Sequence, residues 1–402
     1  MKKVFYSAFI LLLALTFLFS CAKVPDGGET LESEFNVDLA VITTSPPETE
    51  PEPEPVYRAS FVGAGDNIIY YGNVRDAASL SVPGGRQYNF KPAYENVSEM
   101  ISSADIAFIN QETLMCGEGY EFSYYPRFNG PQDLGYDLCE LGFDVVNIAN
   151  NHMLDKGGAG LSATIDFWKT MPVTLIGGYS DEAAFYDVPI VETNGIRIAY
   201  VSYCESTNGL VLQGNSDIVI PYLDKETIDR QISGIKDKCD FIVASVHWGV
   251  ENSFTPNETQ REYAQCFADA GVDVIVGHHP HVIQPVEWIE GKGGNRTLCV
   301  YSLGNFMAEM ARDTNMVGGL ISFDIVKEGT SHAVIENPLF TPTVFYFPSN
   351  FYNNRIYFME NFTEDLARSH GISYYGNSTT LEKLKGYVKN TISEEFLPKT
   401  FN

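Results

Sequence analysis

Cationic side chains are scarce in this sequence. Lys and Arg total 26 against 52 Asp and Glu, and the resulting net charge of −26 excludes broad electrostatic binding of nucleic acid. Any phosphate-bearing ligand must therefore be held locally. Cysteine is sparse too, and its 7 residues contain no CxxC pair, so a sulfur-ligated zinc site finds no support. No internal repeat is visible. The 402 residues that remain to be explained are 44% hydrophobic and 13% aromatic, which excludes wholesale disorder and suffices for one large α/β core.

Residues Met1 to Ser20 begin with Lys2 and Lys3, continue through the apolar run FILLLALTFLF and stop at Cys21. This is the pattern of an export signal. Its end, Leu18-Phe19-Ser20-Cys21, resembles the lipobox of bacterial lipoproteins, so cleavage before Cys21 and a lipid on that thiol are expected. An uncleaved anchor helix is the alternative, although the run is short for one. Residues 21–56 turn to Pro, Glu, Thr and Ser and end in PPETEPEPEP, an extended tether that cannot bury enough apolar surface to fold. The other cysteines, at 116, 139, 204, 239, 266 and 299, are expected as small buried side chains, with disulfides permitted by export.

From Tyr57 the pattern becomes apolar strand, turn and amphipathic helix, repeated, which indicates an α/β domain over 57–336 with its functional loops at strand ends. Strands are expected at Ala59 to Gly63, Ile106 to Asn110, Val145 to Ala149, Val173 to Ile176 and Val188 to Glu192. Further strands are expected at Ile196 to Ser202, Phe241 to His247, Val272 to Val276, Leu298 to Ser302 and Gly319 to Ile325. Apolar residues at helical intervals mark Tyr94 to Ser102, Gln132 to Leu141, Leu161 to Lys169, Lys225 to Lys236 and Glu258 to Ala270. Residues 337–402 are aromatic and Asn-rich before a last helix from Thr380 to Glu394, and are expected to pack on the domain as an extension that caps the sheet, shapes the rim of the site or simply completes the core.

Strand ends repeatedly deliver ligand-type residues. The first ends in Gly65-Asp66, the second in Asn110-Gln111-Glu112, the third in Asn150-Asn151-His152 followed by Asp155. Later ones end in His247-Trp248-Gly249-Val250-Glu251 and Gly277-His278-His279-Pro280-His281. Carboxylates, an amide and imidazoles, gathered where an α/β sheet opens its crevice, form an oxygen and nitrogen donor set suited to two divalent ions. Such ions polarise a phosphoryl oxygen and stabilise the entering and leaving oxygens of a displacement. Pro280 is expected to fix the chain so that His279 and His281 project toward one ion pair.

The order GD, NxE, NNHxxDxG, HWGxE, GHHPH and SLGNF, from about Phe61 to Phe306, is similar to the CapA (poly-γ-glutamate biosynthesis) family. Its motif order resembles the calcineurin-like metallophosphoesterases, which implies a four-layer α/β/β/α sandwich around a dinuclear site. The resemblance implies that Asp66 and His281 bind the first ion, that Glu112 bridges, and that Asn151, His247 and His279 bind the second. It also implies His152 as a general acid oriented by Asp155. Asn110, Trp248, Glu251, His278 and Asn305 are expected behind the ligands or along the pocket wall, with core packing the equal alternative for Trp248 and with Ser302 and Gly304 bracing the GHHPH loop. One departure stands out: calcineurin-like phosphatases carry a His two positions after the first Asp, whereas this sequence has Ile68.

Two bound divalent ions are thus expected, of Mn, Fe, Zn or Mg type. The implied role is in synthesis or export of poly-γ-glutamate by an exported, lipid-anchored protein, held to the membrane at Cys21 and working with membrane-bound capsule synthesis proteins. A phosphodiesterase or phosphatase acting on another envelope substrate, and a non-catalytic surface binding module, are the alternatives.

Overall fold

The computed structural model describes residues 54–401 apart from 215. The expected leader, Cys21 and nearly all of the tether lie outside the described residues. The chain forms β1 (Val56–Asn67), β2 (Ile106–Gln111), β3 (Val145–Asn147), β4 (Thr174–Ile176), β5 (Ile190–Thr193), β6 (Ile196–Cys204) and β7 (Phe241–His247). It continues with β8 (Val274–His278), β9 (Val286–Glu290), β10 (Arg296–Val300), β11 (Asn305–Met307), β12 (Val317–Glu328), β13 (Val334–Tyr346) and β14 (Arg355–Phe358).

These strands make two sheets. The first has the order β14-β13-β12-β1-β2-β3-β4, with β11 paired to the end of β1. Strands β1 to β4 run parallel, and β12 joins β1 antiparallel. The second has the order β5-β6-β7-β8-β10-β9, parallel from β6 through β8 to β10.

Alternation along the strands shows how the sheets stack. Phe241 and Val243 of β7 join the main core with Phe61 and Phe323 of the first sheet, and the Phe241 and Phe323 rings lie 6.3 Å apart. The intervening Ile242, Ala244 and Val246 face a separate core made with Ile228 and Ile232 of the helix Lys225–Ile235 and Phe267 of the helix Glu258–Ala270. On the first sheet every residue of β2 is buried, which requires cover on both faces. The helices Asp133–Leu141 and Gly157–Lys169 lie in the parallel crossovers that supply the second cover. The result is the four-layer α/β/β/α sandwich expected from the sequence.

The C-terminal stretch has a different boundary. The one expected at 336/337 falls inside β13, so the start of this segment joins the first sheet through β13 and β14, and the helices Glu364–Arg368 and Leu381–Thr391 follow. Pro338 and Pro342 obscure the strand, because proline argues against a central strand position. Strand β14 pairs only with Thr343–Tyr346, so both prolines lie where β13 has a free edge. The helix Tyr71–Ser79, YGNVRDAAS, was not expected because it has few apolar residues to set a helical period. All six cysteines among the described residues are unpaired, and four are buried. No helix among the described residues is long and apolar enough to cross a membrane.

Phe61 packs within the first sheet, stacked on Phe323 at 4.6 Å and near Phe108 at 6.3 Å, and Phe323 in turn meets Phe241 of the second sheet. Phe61→Ala should cost about 3–5 kcal/mol of stability, read as a lowered urea midpoint with unchanged slope. A shift under about 1 kcal/mol would show that this ring is not a packed part of the main core.

Candidate metal centre

The parallel strands β1, β2 and β3 of one sheet and β7 and β8 of the other all deliver their C-terminal ends to one side of the sandwich. Close backbone approach makes this convergence tight. A Cβ at Gly65 would stand 2.1 Å from the Gly304 carbonyl oxygen, the same oxygen that accepts the Asp66 N–H at 2.9 Å. The SLGNF turn therefore grips the end of β1.

Asp66 is fully buried and accepts from every side. Asn110 Nδ2 donates to its Oδ1 at 2.9 Å, and the His279 backbone N–H donates to its Oδ2 at 3.2 Å. His281 Nδ1 lies 3.1 Å from Oδ2, and His278 Nδ1 lies 3.4 Å from Oδ1. Glu112 is as buried, yet neither of its carboxylate oxygens has a hydrogen-bond partner. Three imidazole Nε2 atoms surround its Oε1 instead, from His247 at 3.6 Å, His281 at 3.8 Å and His152 at 3.9 Å. Asn151 Oδ1 is 3.0 Å from His247 Nε2, and the His247 and His279 ring centroids are 4.8 Å apart.

Donor atoms of Asp66, Glu112 and His281 lie within 4.8 Å of one another, and so do those of Glu112, His247 and His279. The two groups share Glu112. All six residues expected as metal ligands, Asn151 included, thus meet in one crevice. The turn that brings in His279 and His281 owes its shape to more than Pro280: both histidines adopt left-handed backbone conformations, with φ of 99° and 55°.

Burial would raise the Asp66 carboxyl, but contact with His278 and His281 outweighs it and holds the group well below the carboxylate range. Burial first, then the Asp66 charge, push Glu112 well above its ordinary value. Burial and the neighbouring imidazoles depress His247 and take His279 down to about 3. Burial opposes charging of His281 too, but the Glu112 and Asp66 carboxylates raise it to about 9. A buried carboxylate without donors, with only His281 of its neighbours raised toward the charged form, is unfavourable by itself and becomes favourable around a cation. The residues present therefore fit divalent ions.

The other expected site residues fall into clear positions. Asp155 Oδ2 lies 2.8 Å from His152 Nδ1 and accepts the Phe128 N–H at 2.6 Å, which turns His152 Nε2 toward Glu112. Asn305 Oδ1 lies 3.1 Å from His281 Nδ1, and its Nδ2 donates to the Asn315 carbonyl at 3.0 Å. His278 stacks over Phe108 behind Asp66, with ring centroids 5.8 Å apart. Glu251 lies with the donors of His279 and His281. Trp248 needs correction: it does not line the crevice. The residue after His247 points to the opposite face, where Trp248 is buried in the second core and donates Nε1–H to the Tyr301 carbonyl at 3.0 Å.

Sequence reasoning missed a buried polar relay behind Asp66. Asn147 Nδ2 donates to Asn110 Oδ1 at 2.8 Å, and Ser202 Oγ on the facing sheet donates to Asn147 Oδ1. It also missed Asn208, whose Oδ1 accepts from Asn151 Nδ2 at 3.3 Å. A polar residue inside an otherwise apolar buried strand was the available signal for Asn147 and Ser202; Asn208 sits in a loop that offered none.

Without metal, Glu112 makes stability depend on pH. Its folded carboxyl titrates above the ordinary 4.5, so its contribution is fully present below that value and is lost as pH rises through the folded value. In EDTA, Glu112→Gln should gain thermal midpoint over the native protein between about pH 5 and about pH 8. A difference that stays flat across this range contradicts the burial of an uncompensated charge.

The profile of the bacterial capsule synthesis protein family PGA_cap matches residues 60–310. The PGA biosynthesis protein CapA of Bacillus subtilis is 35% identical over 195 residues, 48% of this chain and 50% of that protein. The capsule biosynthesis protein CapA of Bacillus anthracis is 29% identical over 196 residues, 48% of this chain and 46% of that protein. The chain thus matches about half the length of these relatives. Among solved structures, the NAD nucleotidase of Haemophilus influenzae aligns with a TM-score of 0.44 at 12% identity, covering 85% of this chain and 57% of that one. A 5'-nucleotidase precursor from Thermus thermophilus aligns with a TM-score of 0.44 at 14% identity, covering 83% and 59%. With the family profile matched over well more than half of its length, the chain belongs to the family of bacterial capsule synthesis proteins.

Proposed function

We propose that this protein acts in the assembly or export of a poly-γ-glutamate capsule at the outer face of the cell envelope, and that its crevice is a dinuclear centre for metal-dependent phosphoester hydrolysis. The observation that carries the chemical half is the sharing of Glu112 between two donor groups at the meeting point of both sheets. Family membership and the printed names of the relatives support the biological half. Attachment through a lipid on Cys21 is part of the same proposal and rests on the leader pattern.

Bound divalent ions would supply polarisation of a phosphoryl oxygen and neutralisation of the entering and leaving oxygens. In this reading Asp66, Glu112, His281, Asn151, His247 and His279 hold those ions. The remaining work belongs to side chains beside them. Asp155 keeps a proton on His152 Nδ1 and fixes the ring, so that Nε2 can carry a proton to a leaving oxygen in the crevice. Asn110, Asn147 and Ser202 keep the Asp66 carboxylate from rotating, which preserves the spacing of the donors.

With Mn²⁺, the native protein should hydrolyse bis(p-nitrophenyl) phosphate, and both Asp66→Asn and His247→Ala should abolish the activity. His152→Ala should lower turnover of an alkyl phosphodiester by about 10²–10⁴-fold, and less for the p-nitrophenyl ester, whose leaving group needs no proton. Its metal content should be native. Hydrolysis that survives Asp66→Asn and His247→Ala would remove the centre from the chemistry.

A further inference from the structure

We propose that Glu251 is itself a metal ligand, a third carboxylate closing the centre from its solvent-exposed side. The inference rests on the dinuclear reading above and extends it to a residue the sequence placed only along the pocket wall.

The turn after β7 is built to deliver this side chain. Gly249 adopts a left-handed φ of 92°, and its N–H donates to Glu205 Oε2 at 2.8 Å. On either side the turn is stitched to the histidine loop: the Trp248 N–H donates to the His278 carbonyl at 3.1 Å, and the Asn252 N–H donates to the Pro280 carbonyl at 2.7 Å. Asn315 Nδ2 holds Asn252 Oδ1 at 2.9 Å from below. Glu251, caught between these anchors, places a carboxylate oxygen in one group with ring nitrogens of His279 and His281, all within 4.8 Å of one another. Among the described residues no Lys or Arg forms an ion pair with it.

Donor counts indicate where this carboxylate is needed. The group of Glu112, His247 and His279 is supplemented by Asn151 Oδ1 at 3.0 Å from His247 Nε2, which makes four side chains. The group of Asp66, Glu112 and His281 has three. Ile68 cannot complete it, because an aliphatic side chain offers no donor atom, and it packs with Phe128 and Ala308. Divalent ions take at least four donors, and Glu251 stands next to both His279 of the fuller group and His281 of the shorter one, where the fourth donor is lacking. Independently of Glu251, the buried and partnerless oxygens of Glu112 and the partnerless Nδ1 of His279 mark the same place as one that receives a cation.

The test is Mn²⁺ titration of the full-length protein by calorimetry, with bound Mn²⁺ counted by elemental analysis. The native protein should bind two ions. Glu251→Gln should keep one at native affinity and weaken the other by at least about tenfold, with an unchanged circular dichroism spectrum. Asp66→Asn should weaken the same ion. Glu205→Gln, whose amide oxygen can still accept from Gly249, removes a nearby charge without removing a ligand and should leave both ions bound. Two ions bound at native affinity by Glu251→Gln would overturn the assignment and leave the dinuclear reading standing. Equal weakening by Glu205→Gln would overturn it by showing an effect of charge alone. A native protein that binds no Mn²⁺ would overturn both.

Discussion

A carboxylate at the junction of two sheets, with no hydrogen-bond donor on either oxygen, is the constraint around which this molecule is arranged. Removing a charge from water costs several kcal/mol unless an opposite charge stands close by. Around Glu112 the nearest candidates are imidazoles, of which burial keeps His247 and His279 neutral and only His281 is pushed toward the charged form. The charge on one histidine offsets one of the two buried carboxylates, Asp66 and Glu112, and not both. The geometry is that of a cation site, and the neighbouring residues are best understood as its walls.

The sandwich makes such a site possible. Parallel strands of both sheets end on the same side, so loops distant in sequence converge without long excursions. Small residues let the backbones close in. At Gly65 the end of β1 touches the Gly304 carbonyl, and a Cβ at Gly277 would stand 2.1 Å from the Tyr301 carbonyl oxygen. The polar relay from Ser202 through Asn147 and Asn110 to Asp66 ties the first sheet to the second just behind the donors. Packing and ligand orientation are therefore one problem in this protein: whatever separates the sheets also spreads the site.

Much of this was legible in the sequence, for physical reasons that also explain the exceptions. Strands buried on both faces appear as short apolar runs, and residues such as Asp66, His247 and His278 at their ends signal a crevice. Strand β13 carries two prolines and reads as a loop until its free edge is seen. For Trp248 the sequence left pocket wall and core packing open, and the core takes it because successive residues at a strand end point to opposite faces. Glu251 shows the converse. Its distance from His281 depends on how the turn after β7 is stitched to the histidine loop, and no periodicity encodes that stitching.

Anomalous diffraction from crystals of the Mn²⁺-loaded protein tests the central claim most directly. Two peaks about 3.5–4 Å apart, one on each side of the Glu112 carboxylate, are predicted. A single peak, or peaks that Glu112 does not touch, would contradict the account.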